Sequence, residues 1–171
     1  MVEENKLKAG LKKRSMSVAS ALIALSVVPN VVAAQTLATI IVSATVELNF
    51  GTFTGGAGGT ITVPFGGGAR TTTGTVTPIA GAGLETPASL SVSASTGVSV
   101  VVSMDALSYN VTGPGAPMAV NGFDINGSGA TATVSMTTNP ITLPLGATLN
   151  VGVTQADGVY TGSYTVNANY L

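Results

Sequence analysis

The chain has 171 residues, 45% of them hydrophobic and 8% charged, with no Cys and no His. That supplies apolar side chain for a core, and it excludes a disulfide framework, thiol chemistry and an imidazole base or metal ligand. Past residue 34 a single cation, Arg70, stands against Glu47, Glu85, Asp105, Asp124 and Asp157, a formal −4 that excludes the phosphate neutralisation needed for nucleic-acid binding and disfavours anionic membranes.

The N-terminus reads as a secretory signal over residues 1–34. Lys6, Lys8, Lys12, Lys13 and Arg14 form a basic region, Met16 to Val28 an apolar run, and Val32-Ala33-Ala34 a small-residue cleavage site. The apolar run is short for a bilayer span. Cleavage after Ala34, or after Ala33, leaves the rest of the chain, residues 35–171 in the first case, as a single secreted domain, with no membrane segment after processing.

From there, short alternating runs recur between Gly, Thr, Ser and Pro clusters, which is the pattern of an all-β sandwich. Ala38 to Phe50 alternates, with Ile40, Val42, Ala44 and Val46 on one face. Gly51 to Gly59 is a glycine-rich turn, a short strand is predicted at Thr60 to Val63, and Thr71 to Thr77 is a polar, Thr-rich run. Ala88 to Ala94 and Val98 to Met104 are stronger. Only Ser95-Thr96-Gly97 separates them, so a hairpin is expected. Leu107 to Val111, Met118 to Ile125 and Ala130 to Met136 follow. Pro140 and Pro144 bracket a segment expected at an edge or bulge. Thr148 to Val153 leads through Asp157-Gly158, a hairpin signal, into a terminal strand from Val159 to Tyr170. The whole gives eight to ten strands.

Gly158, Tyr160, Gly162, Tyr164, Val166, Ala168 and Tyr170 share one side of that final run. A strand that reaches the last residue is expected to take its partner from earlier in the sequence or from another molecule. The acids are dispersed, the Ser and Thr residues lack a His, and the glycine clusters precede no Lys-Ser/Thr pair. Asp124 and Asn126 start a calcium-like loop, but Ser135 stands at its twelfth position instead of a carboxylate. Asn110 and Asn126 begin glycosylation sequons. No catalytic, cofactor or metal site emerges, and an enzyme is not expected.

Leu149, Val151, Gly152, Gln155, Gly158, Tyr160, Gly162, Tyr164, Val166 and Tyr170 together resemble the end of a large bacterial family of secreted domains of unknown function. Leu48-Asn49-Phe50-Gly51-Thr52 resembles the opening of that family, and the stretch from Gly74 to Val92 its middle. The terminal motif is also similar to chaperone–usher pilins and spore-coat-U-like proteins, with Gly158 fourteen residues from the end and Tyr170 penultimate. That resemblance implies an immunoglobulin-like antiparallel β-sandwich, pilin-like, lacking its last strand. It implies a groove filled first by a periplasmic chaperone and then by a like subunit. Tyr160, Tyr164 and the rest of the terminal face would form the strand-partner edge, and Ile40, Val42, Ala44 and Val46 the donor. Gln35 to Glu47 suits one strand better than two, so that segment is either a donor or the domain's own first strand. The resulting expectation is a non-enzymatic structural protein that assembles by strand donation. The alternative is a self-complete sandwich acting as a binding or adhesion module.

Overall fold

The computed structural model describes residues 36–79 and 84–171; the expected signal segment lies outside them. Twelve strands follow in order: β1 (Ile41–Val46), β2 (Phe53–Thr54), β3 (Gly59–Val63), β4 (Thr71–Gly74), β5 (Thr77–Pro78) and β6 (Ala88–Ser93). Then come β7 (Ser99–Met104), β8 (Tyr109–Val111), β9 (Met118–Ile125), β10 (Thr131–Ser135), β11 (Ile141–Val151) and β12 (Val166–Tyr170). No helix occurs among the described residues, and all strand pairs are antiparallel. The fold is all-β.

The larger sheet is organised by β11. Leu145 sits opposite both Ala88 of β6 and Ile125 of β9, and Leu149 opposite both Ile61 of β3 and Val120 of β9. Hence β9 runs along one side of β11, while β6 and β3 succeed each other along the other. β1 extends this sheet beyond β6, β4 beyond β3, and β8 beyond β9. A second sheet has the order β10-β7-β12, and β2 pairs with β5 separately.

Alternation supplies the core. Leu90 and Val92 of β6, Leu143 and Leu145 of β11, Val100 and Val102 of β7, and Ala132 and Val134 of β10 are all buried in one hydrophobic cluster. Both main sheets therefore share one apolar interior, with their polar alternates turned outward.

Three expected connections differ. Ser95-Thr96-Gly97 does not close a hairpin: β6 pairs with β1 and β11, whereas β7 pairs with β10 and β12. Gly97 instead donates its N–H to Met136 at the end of β10. Asp157-Gly158 likewise joins β11 to β12 across two sheets. Packing both apolar faces inward outweighs the local turn preference. The Pro140–Pro144 stretch is not an edge but the start of the longest, central strand. Pro144 is tolerated because its carbonyl faces Asn126 N, just past the paired end of β9. Its donorless nitrogen points to the same side, so no bond to β6 is lost.

Boundaries shift too. The first strand spans Ile41–Val46 rather than Ala38 to Phe50, and β2 lies within the glycine-rich turn. Gly74 divides the Thr-rich run into β4 and β5. The terminal strand is confined to Val166–Tyr170.

Candidate functional site

The second sheet ends at β12. Asp105 N donates to Thr165 O, and Leu171 N to Ser99 O. Antiparallel alternation then directs the backbone groups of Asn167 and Asn169 towards β7, and those of Val166, Ala168 and Tyr170 away from it. Among the described residues no strand pairs with that outer edge. An unpaired row of N–H and C=O groups is a template for another strand.

β1 stands across from this edge, on the other sheet. It hydrogen-bonds to β6 from Ile41↔Ser93 to Ala44↔Leu90, slips register, and resumes at Val46↔Ser89. Of the candidate donor residues, Ile40 and Val42 are half-buried against the core of their own domain, and Ala44 and Val46 are exposed. Ile41, on the opposite face, is 61% exposed. At one end β1 and β12 approach, and the Tyr170 hydroxyl donates to Ala38 O at 2.6 Å.

Beyond that contact the two segments diverge and enclose a groove of about 790 Å³. One wall is residues 47–55 and the other residues 155–164; Val111, Met118, Val120, Phe123 and Leu149 line it between them. Of the terminal positions singled out by sequence, Gly158, Tyr160, Gly162 and Tyr164 line this groove without being in a strand, whereas Val166, Ala168 and Tyr170 belong to β12.

Each wall is anchored. Arg70, with its side chain only 5% exposed, donates to the carbonyls of Phe50 and Thr52 and lies 3.7 Å from Glu85. Asn49 and Thr86 exchange two backbone hydrogen bonds beside it. Backbone hydrogen bonds, from Glu85 itself and from Arg70, hold the Glu85 carboxyl below the ordinary range; burial opposes them, and Arg70's charge lowers it by the least of these effects. On the other wall, Thr112 and Thr161 exchange backbone bonds, and Gln155 Nε2 donates to Ala116 O at 2.6 Å.

Three tyrosines make the same bridge. Tyr109 accepts from Ala106 N and donates to Thr165 O; Tyr160 accepts from Gly115 N and donates to Ala156 O; Tyr170 accepts from Ser95 N and donates to Ala38 O. Tyr164 differs. Its hydroxyl is buried with no hydrogen-bond partner among the described residues. The ring lies 6.3 Å from that of Phe123, which meets Tyr109 edge-on at 5.7 Å. Burial raises the Tyr164 phenol above its ordinary value, and the Glu47 charge acts in the same direction.

Glu47 and Asp157 are the charged residues lining the groove. Asp124 Oδ1 is occupied as a turn acceptor for Gly129 N, and no group of three metal-ligating side chains occurs among the described residues. Sequence reasoning missed Arg70 as a wall anchor, although its isolation as the sole cation past residue 34 was visible. It also missed Tyr109 and Phe123, whose meeting with Tyr164 depends on the crossing of strands between sheets.

Fold and groove together define an antiparallel all-β module in which the outer edge of β12 is unpaired among the described residues. The chain belongs to the family described as a domain of unknown function (DUF4402), which it matches over residues 40–170. No curated protein and no solved structure matches it.

Proposed function

We propose that this domain is a secreted, non-enzymatic structural subunit of the bacterial surface that accepts a β-strand from a second copy along β12. The carrying observation is the outer edge of β12, unpaired among the described residues, with a groove of mixed polar and apolar lining beside residues 155–164 that lead into it. The order β1-β6-β11-β9 in one sheet and β10-β7-β12 in the other is compatible with an immunoglobulin-like sandwich whose final strand comes from elsewhere.

The occupant is the segment from Thr36 to Val46 of another copy. It is free of charge up to Glu47, which suits a groove rimmed by carboxylates. It is also lightly held at home: of β1, only Val42 is even half-buried. An apolar, alternating strand with so little buried surface loses little apolar burial on leaving its own sheet, and its ladder bonds to β6 would be exchanged for bonds to β12. A periplasmic chaperone strand would use the same edge before assembly.

The test is a melting curve of the domain from residue 35 onward with a peptide of residues 36–48. A hundredfold excess over Kd should stabilise by about 2.7 kcal/mol, a rise of roughly 5–10 °C. The domain alone should oligomerise with concentration. An unmoved melting temperature and a monomer at every concentration would overturn the proposal. They would favour a self-complete adhesion module, a reading supported by the pairing of β1 with β6 of its own domain.

A further inference from the structure

The groove gathers the aromatic residues of the domain. Phe50, Phe53, Tyr109, Phe123, Tyr160 and Tyr164 line it, six of the eight Phe and Tyr residues in the chain. Its volume of about 790 Å³ is that of a small-molecule site. Aromatic faces carry partial negative charge, and a concave group of them attracts a cation. The charged residues of the lining have the matching sign, Glu47 on one wall and Asp157 on the other. Glu47 owes its place to the register slip in β1. Ala44 pairs with buried Leu90, but after the slip Val46 pairs with Ser89, on the outer face of β6. Unbroken alternation would have kept Val46 on the side of Val42 and Ala44 and turned Glu47 away from the groove. Bulges re-aim side chains in this way, often beside functional sites. Burial and then the Glu47 charge raise the Tyr164 phenol, which places that carboxylate within electrostatic reach of the ring. Among the described residues only the backbone carbonyl of Glu47 accepts a hydrogen bond from a side chain, and no ion pair engages its carboxylate.

We propose that the groove between residues 47–55 and 155–164 binds a small organic cation, an ammonium ion carried on an apolar body, with Glu47 as its charge partner. The ammonium group pairs with the Glu47 carboxylate beside the aromatic wall, and the apolar body lies against Val111, Met118 and Val120. The ligand comes from outside the assembly. Arg70, the sole side-chain cation past residue 34, is held by Glu85 and by the carbonyls of Phe50 and Thr52, so a second copy has none to offer. The site therefore goes beyond strand acceptance, in which an uncharged segment pairs with β12 through its backbone.

Benzyltrimethylammonium is the probe, titrated into the domain from residue 35 onward and followed by the aromatic signals in NMR. The ring signals of Phe53 and Tyr164 should shift with a Kd of about 1 mM. Those of Phe65 and Tyr170, which do not line the groove, should stay in place. Added salt should weaken the binding. Benzyl alcohol, with the same ring and no charge, should give no saturable shift at the same concentrations. Glu47→Gln, at an exposed position with no side-chain partner to lose, should keep the wild-type melting temperature and weaken the probe about fivefold. Three results would each overturn the site: no shift of the groove aromatics at about 20 mM probe, wild-type affinity in Glu47→Gln, or equal affinity for benzyl alcohol. Strand acceptance is read separately, by the peptide of residues 36–48, and stands or falls on that measurement alone.

Discussion

The hydroxyl of Tyr170 donates to the carbonyl of Ala38, 132 positions earlier, at 2.6 Å, while accepting from Ser95 N at 2.9 Å. One phenol thus fastens the segment before β1, the corner after β6 and the end of β12. It closes the gap between the two sheets at the point from which the groove opens. The penultimate tyrosine of the sequence motif is therefore a structural fastener.

Tyr170→Phe removes both hydrogen bonds and leaves Ala38 O and Ser95 N to find water. Two such losses at a partly exposed site should cost about 1–2 kcal/mol. Urea titration should show a lower midpoint with an unchanged slope, because the same surface is exposed on unfolding.

Glu85 gives the domain an acid limb. Its folded-state pKa lies below the ordinary value, so its contribution is present above that ordinary carboxylate range and is lost as pH falls through the folded value. Melting temperatures measured from pH 6 down to pH 3 should decline, and Glu85→Gln should flatten part of the decline. Arg70→Gln should flatten it less, because both backbone N–H donors to Glu85 remain, while lowering stability at every pH by releasing the carbonyls of Phe50 and Thr52.

Tyr164 gives an alkaline limb. Its folded-state pKa is raised, so its contribution is complete below the ordinary phenol value near 10 and is lost as pH rises through the folded value. Wild type should lose stability above pH 10 more steeply than Tyr164→Phe. Equal slopes in paired melts would show that burial of this phenol is not maintained in solution.

The centre of the larger sheet should be the least forgiving region. Leu145 is fully buried where β6 and β9 flank β11. Leu145→Ala should cost about 2–5 kcal/mol. A Cβ on the adjacent Gly146 would lie 2.5 Å from both Phe65 N and Val63 O. Those are backbone atoms and cannot swing aside, so Gly146→Ala should also lower the denaturation midpoint despite adding only a methyl group.

Which face turns inward was legible in the sequence for the central strands, though not for β1, where Ala44 and Val46 are exposed. Leu90, Val92 and Ala94, then Val100, Val102 and Met104, are buried as their alternation indicates. Strand partners were not legible. Period two tells which side chains are apolar and says nothing about which sheet receives them. Ser95-Thr96-Gly97 therefore reads as a hairpin and acts as a crossover. Pro144 reads as a strand breaker because its missing N–H is visible in sequence, whereas the direction of that position, away from β6, is not. The tyrosine face of the candidate site was readable. The bonding of its phenols was not, since each partner is a backbone atom brought close by the fold. The uncertain role of Ile40 to Val46 has the same root: an alternating segment fits its own sheet and a neighbour's edge by one and the same pattern.

That ambiguity is best broken by proline, which removes a single backbone donor. At position 168 the N–H faces away from β7, towards the open edge, and the ladder bonds of β12 are made by its neighbours. Ala168→Pro should therefore leave the domain folded, since edge strands tolerate proline where the N–H faces outward. It should also abolish peptide binding and concentration-dependent assembly. At position 169 the N–H faces β7, so Asn169→Pro should destabilise the free domain by about 3 kcal/mol or more. Circular dichroism melts separate the two on stability, and size-exclusion chromatography separates them on assembly. A folded Ala168→Pro domain that still takes up the peptide of residues 36–48 at wild-type affinity would place the acceptor edge somewhere other than β12.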